Sequence, residues 1–185
     1  MFTYVAITHL GGAGTWIAIP LLAEADAVGQ RLAVDDDLPY NVYGGLQDNG
    51  SWRGPAEVWE NAGIRNLHWQ EVGFGDGFDT LPDPQNSRQG YAMAQGGYLM
   101  RWNLDTGEQR LVRPAPPEEG IELRFNWNAG IAQDPFDPAT IYYGSQYVHK
   151  STDRGASWTI ISPDLTTNKA EWQQHYYDAN GIPLR

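Results

Sequence analysis

Ser151-Thr152-Asp153-Arg154-Gly155-Ala156-Ser157-Trp158 sets a serine, an aspartate, a glycine and a tryptophan at the spacing S-x-D-x-G-x-x-W. The chemistry of that spacing is local. An aspartate carboxylate accepts hydrogen bonds from backbone N–H groups two or three residues ahead and closes a tight turn. Gly155 supplies the positive φ that such a turn needs. Trp158 then opens a strand and buries a large ring against its neighbours. The stretch predicts a β-hairpin corner in which Ser151, Asp153, Gly155 and Trp158 are structural, and by itself it catalyses nothing.

Working outward, the chain repeats. Tyr43-Gly44-Gly45, Gln95-Gly96-Gly97 and Tyr143-Gly144-Ser145 each follow a turn containing Asp and Pro: Asp37-Leu38-Pro39, Asp83-Pro84 and Asp137-Pro138. The middle glycines recur about every 50 residues, the length of one four-stranded antiparallel propeller blade. Gly12-Ala13-Gly14-Thr15-Trp16 reads as the end of a degenerate copy of the corner, about three such periods before Trp158. Leu104-Asp105-Thr106-Gly107-Glu108 marks a further hairpin turn. Alternation and β-propensity place strands at Tyr40–Tyr43, Tyr91–Ala94, Tyr98–Trp102, Gln109–Arg113, Ile141–Tyr143 and Trp158–Ile161, and residues 1–10 are strand-like.

The expected fold is all-β, a partial β-propeller of about three to four four-stranded antiparallel blades over residues 1–168. Residues 169–185 form a tail, read as a short helix over Asn168–Asp178, where Lys169-Ala170-Glu171-Trp172-Gln173-Gln174 follows a polar Thr-Thr-Asn, or as the start of a next blade. So few blades do not close a ring, and an open set exposes strand edges. The expectation is a piece of a larger ring, completed by the remaining blades of a parent protein or by self-association.

Composition narrows the function. Twelve basic against 23 acidic residues give a formal charge of −11 over 185 residues, which argues against nucleic acid or an anionic membrane as partner. An acidic surface tolerates neutral glycans, cationic peptides or Ca²⁺, and it also serves solubility. With 21 Gly, 12 Pro, eight Trp and ten Tyr, the chain suits many short strands joined by turns. Cysteine is absent, which excludes disulfides and thiolate metal sites. No apolar run is long enough to predict membrane insertion. The N-terminal stretch Met1–Leu22 is apolar, but no Lys or Arg precedes it and Gly11–Gly14 interrupts it, so it does not read as a signal peptide. An N-terminus cut from a longer gene is expected instead.

With the blades placed, the corner is recognised as an Asp-box, and further wording matches. Pro39-Tyr40-Asn41-Val42-Tyr43-Gly44-Gly45-Leu46-Gln47-Asp48-Asn49-Gly50 resembles a signature of large bacterial Asp-box (BNR-repeat) proteins with a sortilin/Vps10-like propeller. Gly75-Asp76-Gly77-Phe78, Leu123-Arg124-Phe125-Asn126-Trp127-Asn128 and Ser151–Asn168 follow in the order of that group, so the resemblance covers about residues 10–168. It implies a β-propeller, a secreted or periplasmic location, and kinship with xyloglucanase-type glycoside hydrolases and with peptide-binding sortilin propellers. A fold of this kind hosts enzymes and binders alike, so it does not settle the function.

Glycosidases work with two carboxylates across the scissile bond. Asp48, in Gln47-Asp48-Asn49-Gly50, and Asp76, in Gly75-Asp76-Gly77, are the candidates. Each has an alternative reading, a carboxylate that binds turn amides. In the xyloglucanase-type enzymes that the chain resembles, the two aspartates come from separate propellers, so this chain would supply one. Trp52, in the expected loop Gly50–Pro55, is the candidate for an exposed, ligand-stacking ring. Arg124, Asn126 and Trp127 are candidate ligand contacts at a blade's inner strand. Arg65, Arg101, Arg113 and Arg124 could in number form the arginine clamp of sialidases, but no sialidase context surrounds them. Arg154 is expected to be solvated. Asp35-Asp36-Asp37 matches no Ca²⁺ loop and reads as an exposed acidic turn. His9, His68, His149 and His175 have no zinc spacing. No metal or cofactor is expected, and neither a phosphate loop nor a nucleophile elbow is present. The functional expectation is a binding or scaffold segment for a glycan or an extended peptide. The alternative is a glycoside hydrolase segment contributing one acid/base carboxylate.

Overall fold

A computed structural model describes residues 32–169 in full, and outside that span only the backbone strands β1 (Thr3–Val5), β2 (Ile19–Leu21), β15 (Tyr176–Tyr177) and β16 (Pro183–Leu184). β1 pairs with β2 and β15 with β16, both antiparallel. The degenerate corner ending at Trp16 lies outside the described residues, as does the tail helix apart from the β15 pair.

The described core of the chain is all-β and consists of three antiparallel four-stranded sheets, each a meander in chain order. The first holds β3 (Leu32–Val34), β4 (Asn41–Leu46), β5 (Gly50–Pro55) and β6 (Gln70–Gly73). The second holds β7 (Gly77–Asp83), β8 (Asn86–Ala94), β9 (Tyr98–Asn103) and β10 (Glu108–Leu111). The third holds β11 (Ile131–Gln133), β12 (Ile141–Gly144), β13 (Val148–Ser151) and β14 (Thr159–Ile160). The only helical pieces among the described residues are two 3₁₀ turns, Asn66–His68 and Gln95–Gly97. Among the described residues no helix is long and apolar enough to cross a membrane.

The sheets stack through two cores, and strand alternation explains how. Successive side chains on a strand point to opposite faces, and β8 is buried on both. Its Ala92 joins Trp102, Tyr43 and Val72 between the first and second sheets. Its Tyr91 and Met93 join Phe78, Leu99, Ile131, Ile141 and Tyr143 between the second and third. Trp102 is 1% exposed and stacks on Tyr43, with ring centres 6.0 Å apart. Each such side chain contributes about 1.5–3 kcal/mol through burial.

Register reveals a repeat that differs from the expected one. Tyr43 faces Ala33, Tyr91 faces Leu81 and Tyr142 faces Ala132, so the three tyrosines hold equivalent places on the second strands. Eight residues before each lies an aspartate (Asp35, Asp83, Asp134), and four after each a glutamine (Gln47, Gln95, Gln146). The glycines of the expected lattice are not equivalent: Gly44 lies within β4 and Gly144 ends β12, but Gly96 lies in the turn after β8 with φ 67°.

The aspartates close the first hairpin of each sheet. Asp35 accepts the Asn41 N–H at 2.8 Å, the Asn41 amide at 2.7 Å and the Tyr43 hydroxyl at 2.7 Å. Burial alone would raise its pKa, but these bonds outweigh burial and hold the carboxyl below its ordinary 3.8. The acidic turn is therefore not simply exposed, since Asp35 is buried and Asp36 and Asp37 are outside. Asp134 repeats the device, accepting Phe136 N–H at 2.9 Å and Tyr142 hydroxyl at 3.3 Å.

Candidate functional site

In a meander, the turns between second and third strands and the links from one sheet to the next lie on the same side. Topology therefore gathers Asp48, Asp76, Arg124, Asn126 and Trp127 on one face, with the turns Gln95–Gly97 and Ser145–Tyr147. The candidates named from sequence share a surface although 79 positions of chain are spanned from Asp48 to Trp127.

Asp76 is 6% exposed, and its Oδ1 accepts the N–H of Asp48 at 2.9 Å. The Gly50 N–H donates to Gly75 O at 2.8 Å beside it. The link between the first two sheets is thereby tied to the β4–β5 turn, where Asp48 is exposed and takes φ 59°. Glycine is required for this approach. A Cβ on Gly77 would lie 2.2 Å from Gly50 O, and one on Gly45 2.2 Å from Gly77 C.

Two glutamines of the repeat, Gln95 and Gln146, stitch the sheets in sequence. Gln95 Oε1 accepts the Asp76 N–H at 2.8 Å. Gln146 Oε1 accepts the Arg124 N–H at 2.8 Å while its Nε2 donates to Glu122 O at 2.9 Å. Asp76 and Arg124 thus occupy comparable places, each an amide captured by the glutamine of the following sheet. The backbone answers forward: Leu165 N–H donates to Gln146 O at 2.8 Å.

The side chain of Arg124 donates to Asp164 at 2.7 Å and to Thr166 Oγ1 at 2.8 Å. Hydrogen bonds from Thr166 first, then Arg124, hold the Asp164 pKa at about 2. Asn126 is exposed, and its Oδ1 accepts the Trp127 N–H at 2.9 Å. Trp127 packs half-buried on the core between the second and third sheets. Beside Arg124–Asn126 opens a cavity of about 310 Å³ bounded by Ser145, Gln146 and Thr166–Lys169. Ser145 Oγ lies 2.7 Å from Nε2 of His149, whose burial lowers its pKa below 6.5 and keeps the imidazole neutral.

Trp52 lies on strand β5 rather than in a loop and is half-buried, its Nε1 donating to Asn49 O at 2.5 Å. Among the described tryptophans the exposed one is Trp59 (93%), in the link between β5 and β6. Glu60, Arg65 and His68 pair with one another in the same link.

The Ser151–Trp158 segment turns the chain from β13 into β14, with Trp158 just ahead of that strand and Asp153 bonding four residues on instead of the expected two or three. Ser151 Oγ accepts the Gly155 N–H and donates to Asp153 Oδ1, each at 2.8 Å. Asp153 in turn accepts the Ser157 N–H at 2.8 Å and its hydroxyl at 2.6 Å, which with Ser151 holds its pKa at about 2. The corner also clamps the second sheet, because Trp158 Nε1 donates to Val112 O at 2.8 Å. Arg154 is not simply solvated. Its guanidinium lies 3.3 Å from the Asp83 carboxylate of the second sheet.

Among the described residues no group of three His, Asp or Glu side chains could hold a metal ion. No protein-family model matches the chain, and no curated protein matches it.

Proposed function

We propose that the three sheets are blades of a β-propeller segment from an exported protein of the Asp-box, sortilin-like kind, acting as a binding or scaffold module for a glycan or an extended peptide. The observation that carries the binding reading is the use made of Asp76. A glycosidase needs two carboxylates free to act across a scissile bond, whereas Asp76 is committed to the Asp48 backbone. The face that gathers Asp48, Arg124, Asn126 and a cavity of about 310 Å³ supplies polar groups for recognition. Association with further blades or with a second copy is supported by apolar side chains exposed at both ends of the stack: Leu32 and Val34 on β3, Ile161 and Leu165 after β14.

The test is glycan-array binding together with hydrolysis of β-glucan and xyloglucan oligosaccharides, on this chain and on the full product of its gene. Binding without turnover in both supports the module. Turnover in the full product, abolished by Asp76→Asn or Asp48→Asn, would replace it with half of a glycosidase site.

A further inference from the structure

Arg113 lies two residues beyond β10, at the start of the link to the third sheet. The centre of its guanidinium is 4.7 Å from the ring centre of Phe125 and 6.0 Å from that of Tyr98. Cation–π contacts of this kind fix the plane of the group, but they use none of its five N–H donors. Among the described residues Arg113 makes no hydrogen bond and no ion pair. Arg65, Arg88, Arg101, Arg124 and Arg154 all have an oxygen partner. Arg110 also has none, but it is exposed, and water serves it. Arg113 is half-buried and lines a cavity of about 360 Å³ with Pro114, Pro116, Ile121, Glu122 and Leu123. A guanidinium anchored between two rings beside a cavity, with its donors unspent, is suited to receive a planar anion, which it binds through two parallel hydrogen bonds.

Building on the glycan reading above, we propose that this cavity binds a hexuronic acid residue of an acidic glycan, with Arg113 holding the sugar carboxylate. Pro114, Pro116 and Ile121 on the cavity wall give the C–H face of the sugar an apolar surface to lie on. Glu122 accepts hydrogen bonds from sugar hydroxyls, groups that a hexuronate carries next to its carboxylate and a peptide C-terminus lacks. The site is not a sialidase clamp, because Arg65, Arg101 and Arg124 are committed to Glu60, Gln89 and Asp164. The chain's charge of −11 does not forbid an anionic ligand. At physiological salt distant charges are screened over about 8 Å, while the carboxylate meets Arg113 at about 2.8 Å.

The experiment is an NMR or fluorescence titration of the whole chain with trigalacturonate, its methyl ester, a neutral β-glucan trisaccharide and a short peptide with a free C-terminal carboxylate. Trigalacturonate is expected to bind at least about tenfold more tightly than its ester, a difference of about 1.4 kcal/mol. Arg113→Gln removes that preference, and Arg113→Lys restores it only in part. Equal binding of acid and ester overturns the proposal, and that comparison needs no variant to fold. So does an acid preference that survives Arg113→Gln, or an Arg113-dependent preference for the peptide over the uronate. Neutral glycan binding without acid preference overturns this inference alone. Failure of every glycan overturns this inference and the glycan half of the broader reading, and leaves its peptide half to the peptide arm.

Discussion

Arg154 and Asp83 are 71 residues apart in sequence and meet across the boundary of the second and third sheets, the Arg154 Nε and Nη2 each 3.3 Å from one oxygen of Asp83. In the other two sheets the corresponding oxygen serves the tyrosine eight residues on. Here it has been given to the neighbouring sheet, and the Tyr91 hydroxyl is left buried without a partner. The same burial pushes the Tyr91 pKa up to about 12. One trade accounts for both the inter-sheet ion pair and the orphaned hydroxyl.

Removing that hydroxyl should therefore cost nothing. Tyr91→Phe is expected to be neutral or slightly stabilising in chemical denaturation. Tyr43→Phe, which removes a donor to buried Asp35, should cost about 1.5–3 kcal/mol. Equal losses in the two variants would mean that the repeat does not divide its hydrogen bonds in this way.

A double-mutant cycle on Asp83→Asn and Arg154→Gln should give a coupling energy of about 1 kcal/mol, within the range for residues in one network. Additive single effects would show the pair to be a bystander. Asp83→Asn should be the more costly single change, since Asp83 also accepts the Gln85 N–H.

Three glycines should rank by what surrounds them. Gly77→Ala meets backbone at 2.2 Å, which cannot yield, and should cost on the order of 3 kcal/mol or more. Gly155→Ala combines φ +83° with a Val112 contact at 2.9 Å and should cost about 1–3 kcal/mol. Gly96→Ala has φ +67° in open space and should cost only about 1 kcal/mol. Thermal melts of the three variants check the order.

His149 gives stability a pH dependence. Its folded pKa is lowered from 6.5 by burial, so the unfolded chain binds the proton more readily. Its contribution is complete above pH 6.5 and is lost as pH falls through the folded value. Denaturation midpoints should therefore drop as pH falls below 6.5, and His149→Gln should flatten that slope. A slope unchanged by the substitution would assign it to other groups.

Much of the architecture could be read in advance, and the reasons are local. The Ser151–Trp158 corner is specified by hydrogen bonds within seven residues, so its spacing alone predicts it. Strands β8, β9 and β12 carry enough Tyr, Met, Leu and Ile in alternation to be seen. The glycines and proline around Trp52 read as a loop in sequence, whereas in β5 the small Gly54 makes room for the Trp69 ring beneath it. The recurring glycines serve different turns, whereas the repeat that the register shows is Asp-x₇-Tyr-x₃-Gln, whose three members touch different partners. That signal stood in the sequence. The commitments of Asp76 and Arg124 did not, because their partners come from other sheets and are set by packing.

The captures made by Gln95 and Gln146 mean that the cooperative unit of this chain is staggered against its sheets. The links that follow the first and second sheets are each held by a residue of the next sheet, so a cut placed after such a link severs a captured amide from its captor. Stability should spread from neighbour to neighbour, as in linear repeat arrays. Excision or grafting of a single unit should succeed only when the boundary falls inside a sheet, after its glutamine, so that the captor travels with the link that it holds.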